Sequence, residues 1–85
     1  MQRIDLSSVD LNLLVALDRL LASGSVTGAA RLLHVTQPAM SRTLARLREV
    51  LLDPLFVREG RTLVPTERAR ALRDPVATVL RAASD

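Results

Sequence analysis

Apolar residues fall into three helical groups along the first half of the chain. Leu13, Leu14, Leu17, Leu20 and Leu21 recur at steps of three and four, the spacing of one helix face. Asp10 is a good N-cap before them. Asn12, Asp18 and Arg19 interrupt the opposite side, and Ser23-Gly24 is a stop signal. Ser25 then caps a second helix over VTGAARLL. Ala29 and Ala30 let another helix approach closely, Leu32 and Leu33 anchor it, and Gly28 weakens its first turn. A connection of three residues follows, His34-Val35-Thr36. Thr36 caps a third helix in which Gln37 is the first residue and Pro38 the second; a proline there sacrifices no hydrogen bond. That helix is expected to reach about Leu52. Met40, Leu44, Leu47 and Leu51 define its buried side. Pro38, Arg42, Ala45 and Glu49 lie roughly opposite, with Ser41 and Arg48 flanking on one side and Arg46 on the other.

The pattern changes after Asp53-Pro54, which should end the third helix. LFVR and RTLV are short strand-like runs around Glu59-Gly60 and predict a hairpin closed by Pro65. Thr66 is the next N-cap, before a last helix over ERARALRDPVATVLRAAS. Its apolar positions Ala69, Leu72, Val76, Val79 and Ala83 step by three and four. This period of 3.5 is the signature of a two-helix contact. Pro75 lies inside the helix and is expected to kink or break it.

Composition narrows the fold. With 85 residues the chain has room for one small domain. A hydrophobic fraction of 48% with Phe56 as the single aromatic implies a core of leucine, alanine and valine, which suits packed helices. Without cysteine there is no disulfide framework and no thiolate metal site. No apolar run approaches the ~20 residues of a membrane span, and MQRIDLSSVD lacks a secretory apolar core. The expected location is the cytoplasm.

Charge is distributed unevenly. Every basic residue is arginine. Residues 31–73 carry nine arginines against four carboxylates, a balance of +5, whereas the flanking stretches are each at −1. A basic middle is expected of a chain that meets a polyanion, although ordinary surface ion pairs would also produce it. Two helices joined by a three-residue turn, the second with a polar and basic start, describe a helix-turn-helix. In such a motif the N-terminal end of the second helix enters the major groove. Short residues such as Pro38 and Ser41 let the backbone approach. Gln37 can bond adenine in bidentate fashion and Arg42 guanine. The hairpin would be a wing carrying Arg58 and Arg61 toward phosphates or the minor groove. Arg46 and Arg48 can each meet a phosphate or pair with Glu49 or Asp53. Arg58 can touch DNA or brace the wing.

DLNLL at 10–14, GSVTGAARLLHVTQPAMSRTLARLRE at 24–49 and DPLFVREGRTLVPT at 53–66 resemble, in order, the N-terminal DNA-binding domain of LysR-type transcriptional regulators. The first and last of these segments look most like the nodulation-regulator branch. The resemblance implies a mainly α winged helix-turn-helix over residues 1–66, with three helices and a β-hairpin wing. It implies a linker helix over 67–85 that dimerises antiparallel to its partner through Ala69, Leu72, Val76, Val79 and Ala83. It also implies that the chain is a piece of a longer protein, stopping before an effector-binding domain where any small-molecule effector would act. A tetramer of the full-length protein stays open. Family contacts carry over to Gln37, Pro38, Ser41 and Arg42 on the recognition helix, to Arg61 in the wing, and to Thr27 and Thr36 near phosphates. Gly28 departs from the pattern, since relatives often carry a larger, frequently basic residue there.

The chemistry-bearing residues otherwise read blandly. His34 is a lone turn histidine, Ser41 has no base beside it, the scattered carboxylates mostly have arginines nearby and form no acid–base pair, and no phosphate loop is present. An enzyme, a cofactor and a membrane partner are therefore not expected. RNA and single strands are disfavoured because their readers stack bases on aromatic side chains. The rival reading is a helical protein-interaction module. It would explain the last helix but not the TQPAMSR surface.

Overall fold

The computed structural model describes residues 10–84. Four helices and one hairpin follow in the order α1 (Leu11–Ser23), α2 (Val26–Leu33), α3 (Gln37–Leu51), β1 (Phe56–Glu59), β2 (Thr62–Pro65) and α4 (Glu67–Ser84). Each of the first three helices has a side-chain cap at its start. The Asn12 N–H donates to Asp10 Oδ1 at 2.7 Å, the Gly28 N–H to Ser25 Oγ at 2.8 Å and the Ala39 N–H to Thr36 Oγ1 at 3.2 Å. Thr66 caps α4 in the same way, accepting from the Ala69 N–H at 3.1 Å. These bonds satisfy amides that the helix itself leaves without partners.

The helix ends are left-handed. Gly24, His34 and Leu52 have φ of +67°, +57° and +53°. After α2 the His34 N–H reaches Arg31 O at 3.3 Å and the Val35 N–H reaches Ala30 O at 3.0 Å, the paired bonds of a Schellman ending. α3 ends at Leu51, within one residue of the expected end. Its last turn is closed by the left-handed Leu52 before Asp53-Pro54 is reached.

The core is the sum of the inward faces. Leu17 and Leu20 of α1, Ala29 and Ala30 of α2, and Met40, Leu44, Leu47 and Leu51 of α3 are all buried, together with Leu55, Phe56, Leu63, Ala69 and Val76. No buried side chain is polar or charged among the described residues. α1 runs through the middle and packs against α2, α3 and α4. The two alanines of α2 provide the close approach that their size allows.

Three boundaries differ from the sequence expectation. The strands pair antiparallel from Phe56↔Pro65 to Glu59↔Thr62, so the turn is Gly60-Arg61 rather than Glu59-Gly60. Gly60 has φ +62°, the backbone that the first central position of a tight hairpin turn demands. Leu55 is outside the strand. It is fully buried at φ +64° and its N–H donates to Asp53 Oδ2 at 2.8 Å. Third, α4 runs through Pro75 without a break. Pro75 and Ala71, whose carbonyl loses its helical donor, are both exposed, so water can supply the missing partner.

Candidate nucleic-acid interface

The outer side of α3 is formed by the residues that its inner side leaves over. With Met40, Leu44 and Leu47 turned into the core, helical geometry sends Gln37, Pro38, Ser41, Arg42, Ala45, Arg46 and Glu49 outward, and all seven are exposed. Thr36 is exposed at the cap and Thr27 in the first turn of α2. The structure thus brings Thr27, Thr36, Gln37, Pro38, Ser41, Arg42 and Arg46 to the surface of the helix-turn-helix. The side chains of Gln37, Ser41, Arg42 and Arg46 are exposed and make no hydrogen bond to another described residue.

Gly28 has a local reason. A Cβ there would lie 2.8 Å from Ser25 Oγ and 2.9 Å from Ser23 Cβ. Ser23 Oγ donates to Ser25 O at 2.9 Å, which folds the α1–α2 turn tightly under the first turn of α2. Gly28 is matched to these two serines.

The wing is tied to the rest of the domain on three sides. The Leu63 N–H donates to Gly24 O at 3.0 Å, joining β2 to the α1–α2 turn. Asp53 Oδ2 accepts from the Thr66 hydroxyl at 2.8 Å as well as from the Leu55 N–H, joining the end of α3 to the start of α4. Arg48 Nε donates to Pro54 O at 2.8 Å and its second terminal nitrogen to Phe56 O at 3.1 Å. Arg48 is therefore committed to backbone carbonyls, neither to Glu49 nor to Asp53. Arg70 is committed likewise, to Pro65 O at 2.7 Å. Arg58 and Arg61 are exposed on the wing, Arg61 in the turn itself.

Among the described residues one ion pair forms, Asp18 with its neighbour Arg19 on α1. Nearness in sequence to carboxylates does not neutralise Arg42, Arg46, Arg58 or Arg61. The brace role open to Arg58 falls to Arg48. The signal for it was weak: a basic residue in the last turn of a helix, where unpaired carbonyls gather.

The apolar seam of α4 is divided. Ala69 and Val76 are buried in the core of the same chain, and Leu72 packs against it. These residues face α1 and the hairpin, so a second chain cannot rest on Ala69 or Val76. Val79 is 44% exposed and Ala83 is exposed. Beside them, Leu11 and Val15 of α1 and Ala77, Leu80 and Ala83 of α4 line an open groove of about 480 Å³. No described helix is long and apolar enough to cross a membrane.

Residues 11–70 match the family described as bacterial regulatory helix-turn-helix protein, lysR family. The chain is 53% identical over 74 residues to nodulation protein D 2 of Bradyrhizobium elkanii, covering 87% of this chain and 22% of that protein. It thus spans about a fifth of that relative's length. A probable transcriptional regulator of Pseudomonas aeruginosa, PA0477, superposes with a TM-score of 0.89 at 43% identity, covering 93% of this chain and 26% of the other. A crystal structure of the CbnR DNA-binding domain with DNA superposes with a TM-score of 0.83 at 25% identity, covering 89% and 87%. The caps of α2, α3 and α4, the three-residue turn and the hairpin all fall inside the matched segment: the chain belongs to the LysR family of bacterial regulatory helix-turn-helix proteins.

Proposed function

We propose that this chain reads double-stranded DNA in a sequence-specific way, as the DNA-binding part of a bacterial transcription regulator, and that it does so as a dimer on an interrupted palindrome. One observation carries the reading. The start of α3 presents Gln37, Ser41 and Arg42 outward beside Thr36, with Arg42 outside any ion pair among the described residues. Side chains of these types suit base edges and phosphates. Of the amides at the start of α3, that of Gln37 is left for a phosphate, since Pro38 has none and the Ala39 N–H donates to Thr36. CbnR, whose DNA-binding domain shares this fold, is described in complex with DNA.

Thr27, Thr36 and Arg46 are assigned to phosphates that flank the groove, and Arg58 and Arg61 to the backbone or the minor groove beside the wing. Pro38 keeps the entry of α3 rigid and short. The dimer contact is assigned to the outer, C-terminal half of α4, through Val79, Ala83 and the adjoining groove. On such a site the two recognition helices would enter successive major grooves about 34 Å apart, one turn of duplex.

The test is selection from a pool of random duplexes at two salt concentrations, with sequencing of the retained DNA. The expected result is an enriched inverted repeat with half-sites one turn apart, and retention that falls steeply with salt, as counterion release requires. Retention without enrichment would overturn base reading. Association only with proteins, little changed by salt, would favour a protein-interaction module.

A further inference from the structure

We propose that Arg48 is the positioning residue of the wing: its guanidinium clasps the wing root to α3, so that Arg61 at the hairpin tip and Arg42 on the helix reach one duplex together. The inference rests on the DNA-binding reading above for its consequence, and on the geometry alone for the clasp.

Arg48 holds the α3–β1 connection from both of its ends. Its main-chain carbonyl accepts the Leu52 N–H and, at 3.3 Å, the Asp53 N–H. Its side chain reaches past that turn to two carbonyls, at Pro54 and Phe56. The fork is what makes this a clasp. A planar guanidinium offers several donors in fixed directions, so it can hold two carbonyls two residues apart; an ammonium is a point charge without that fixed geometry. Phe56 is the first residue of β1 and is buried in the core, so the bond to its carbonyl fixes the strand where the strand leaves the body of the domain. Arg48 also lies seven residues after Ser41, on the same side of α3. The wing is thereby referenced to the helix that presents the base-reading residues.

The consequence is one of preorganisation. A hairpin whose angle to α3 is fixed presents its cation at a set distance from the groove-facing side chains, and no ordering cost falls due on binding. A hairpin free to swing keeps the same charge but delivers it only part of the time. Arg48 is spent on carbonyls and is not itself a phosphate contact.

The experiment has two arms, both using the whole chain. The first is a mutant cycle on duplex affinity, read as the dependence of log K on log salt. In the parent, Arg61→Ala is expected to lower the salt slope by about one, the signature of one lost phosphate contact. In Arg48→Met, the slope is already lowered and Arg61→Ala changes it no further, while Arg42→Ala retains its full effect on base preference. Arg48→Lys, with the charge but not the fork, behaves as Arg48→Met does. If Arg61→Ala keeps its full effect in Arg48→Met, or if Arg48→Lys matches the parent, the proposal is wrong.

The second arm needs no DNA. The chain has no cysteine of its own, so nitroxide labels can be placed at Ala45→Cys and Glu59→Cys, both exposed. Pulsed electron resonance should give a narrow distance distribution in the parent and a broad one with Arg48→Met. An unchanged distribution would overturn the clasp even where binding is altered. If the parent binds no duplex, the DNA-binding reading fails by itself, and the distance arm still decides whether Arg48 holds the wing.

Discussion

The outer face of α3 and the outer face of α4 were both defined by helical spacing, yet they ended in different situations. On α3 the division is clean: Met40, Leu44, Leu47 and Leu51 are buried, and the polar residues between them, apart from the half-buried Thr43, are exposed. On α4 one regular row, from Ala69 to Ala83, passes from the core into solvent along its length. The difference lies in what each helix packs against. The whole inner row of α3 lies on the core, whereas beyond Val76 the side of α4 that packs inward passes to Leu80, which leaves Val79 and Ala83 of the row facing out. Periodicity shows which side chains share a face. It does not show which body covers that face.

The largest effect that would test this contrast is expected under α3. Leu47 is 1% exposed in a core without polar side chains. Leu47→Ala should destabilise the domain by about 2–5 kcal/mol, measured by urea denaturation at a concentration where the chain is monomeric. A loss under about 1 kcal/mol would mean that α3 is held mainly by its caps and its turn, and that its inner face is not the platform for its outer one.

The same contrast explains what could be read from the sequence. Caps at Asp10, Ser25, Thr36 and Thr66 were legible because each bond spans two or three residues of chain. The three-residue turn and the inward faces of α1 and α3 were legible for the same local reason. Leu52 and Leu55 were not. A leucine at positive φ is disfavoured locally, and here the conformation is imposed by the way the chain must leave α3 and enter β1. Nor was the role of Arg48 legible, because its acceptors at Pro54 and Phe56 are main-chain carbonyls that no residue type announces. The seam of α4 was legible as a row but not as two halves, since nothing in the spacing marks where α1 stops covering it.

A smaller effect is expected on the outer face of α3. Arg42 is exposed and free of ion pairs among the described residues, so Arg42→Ala should leave the fold within about 0.5 kcal/mol of its parent stability. On duplex it should remove about 1–3 kcal/mol of discrimination at one base pair of each half-site. Competition between the selected site and its single-base variants reads this directly. Equal losses on specific and random duplexes would make Arg42 a phosphate contact, and the base-reading surface would then have to centre on Gln37 and Ser41.

The sharpest division lies between two valines three residues apart on α4. Val76 is 5% exposed and Val79 is 44% exposed. Truncating either to alanine removes the same two methyl groups, so any difference reports the surroundings alone. Val76→Ala should cost about 1–2 kcal/mol of monomer stability, because about 0.8 kcal/mol is lost for each buried methylene-sized group. Val79→Ala should change monomer stability by no more than about 0.5 kcal/mol. Its effect should emerge only as concentration rises, as a weaker dimer by sedimentation, because a partner stabilises the folded chain by mass action and only where it touches. Were Val79→Ala silent at every concentration while Val76→Ala remained costly, the outer half of α4 would be an ordinary solvated face. The dimer contact would then have to be sought away from the α4 row altogether.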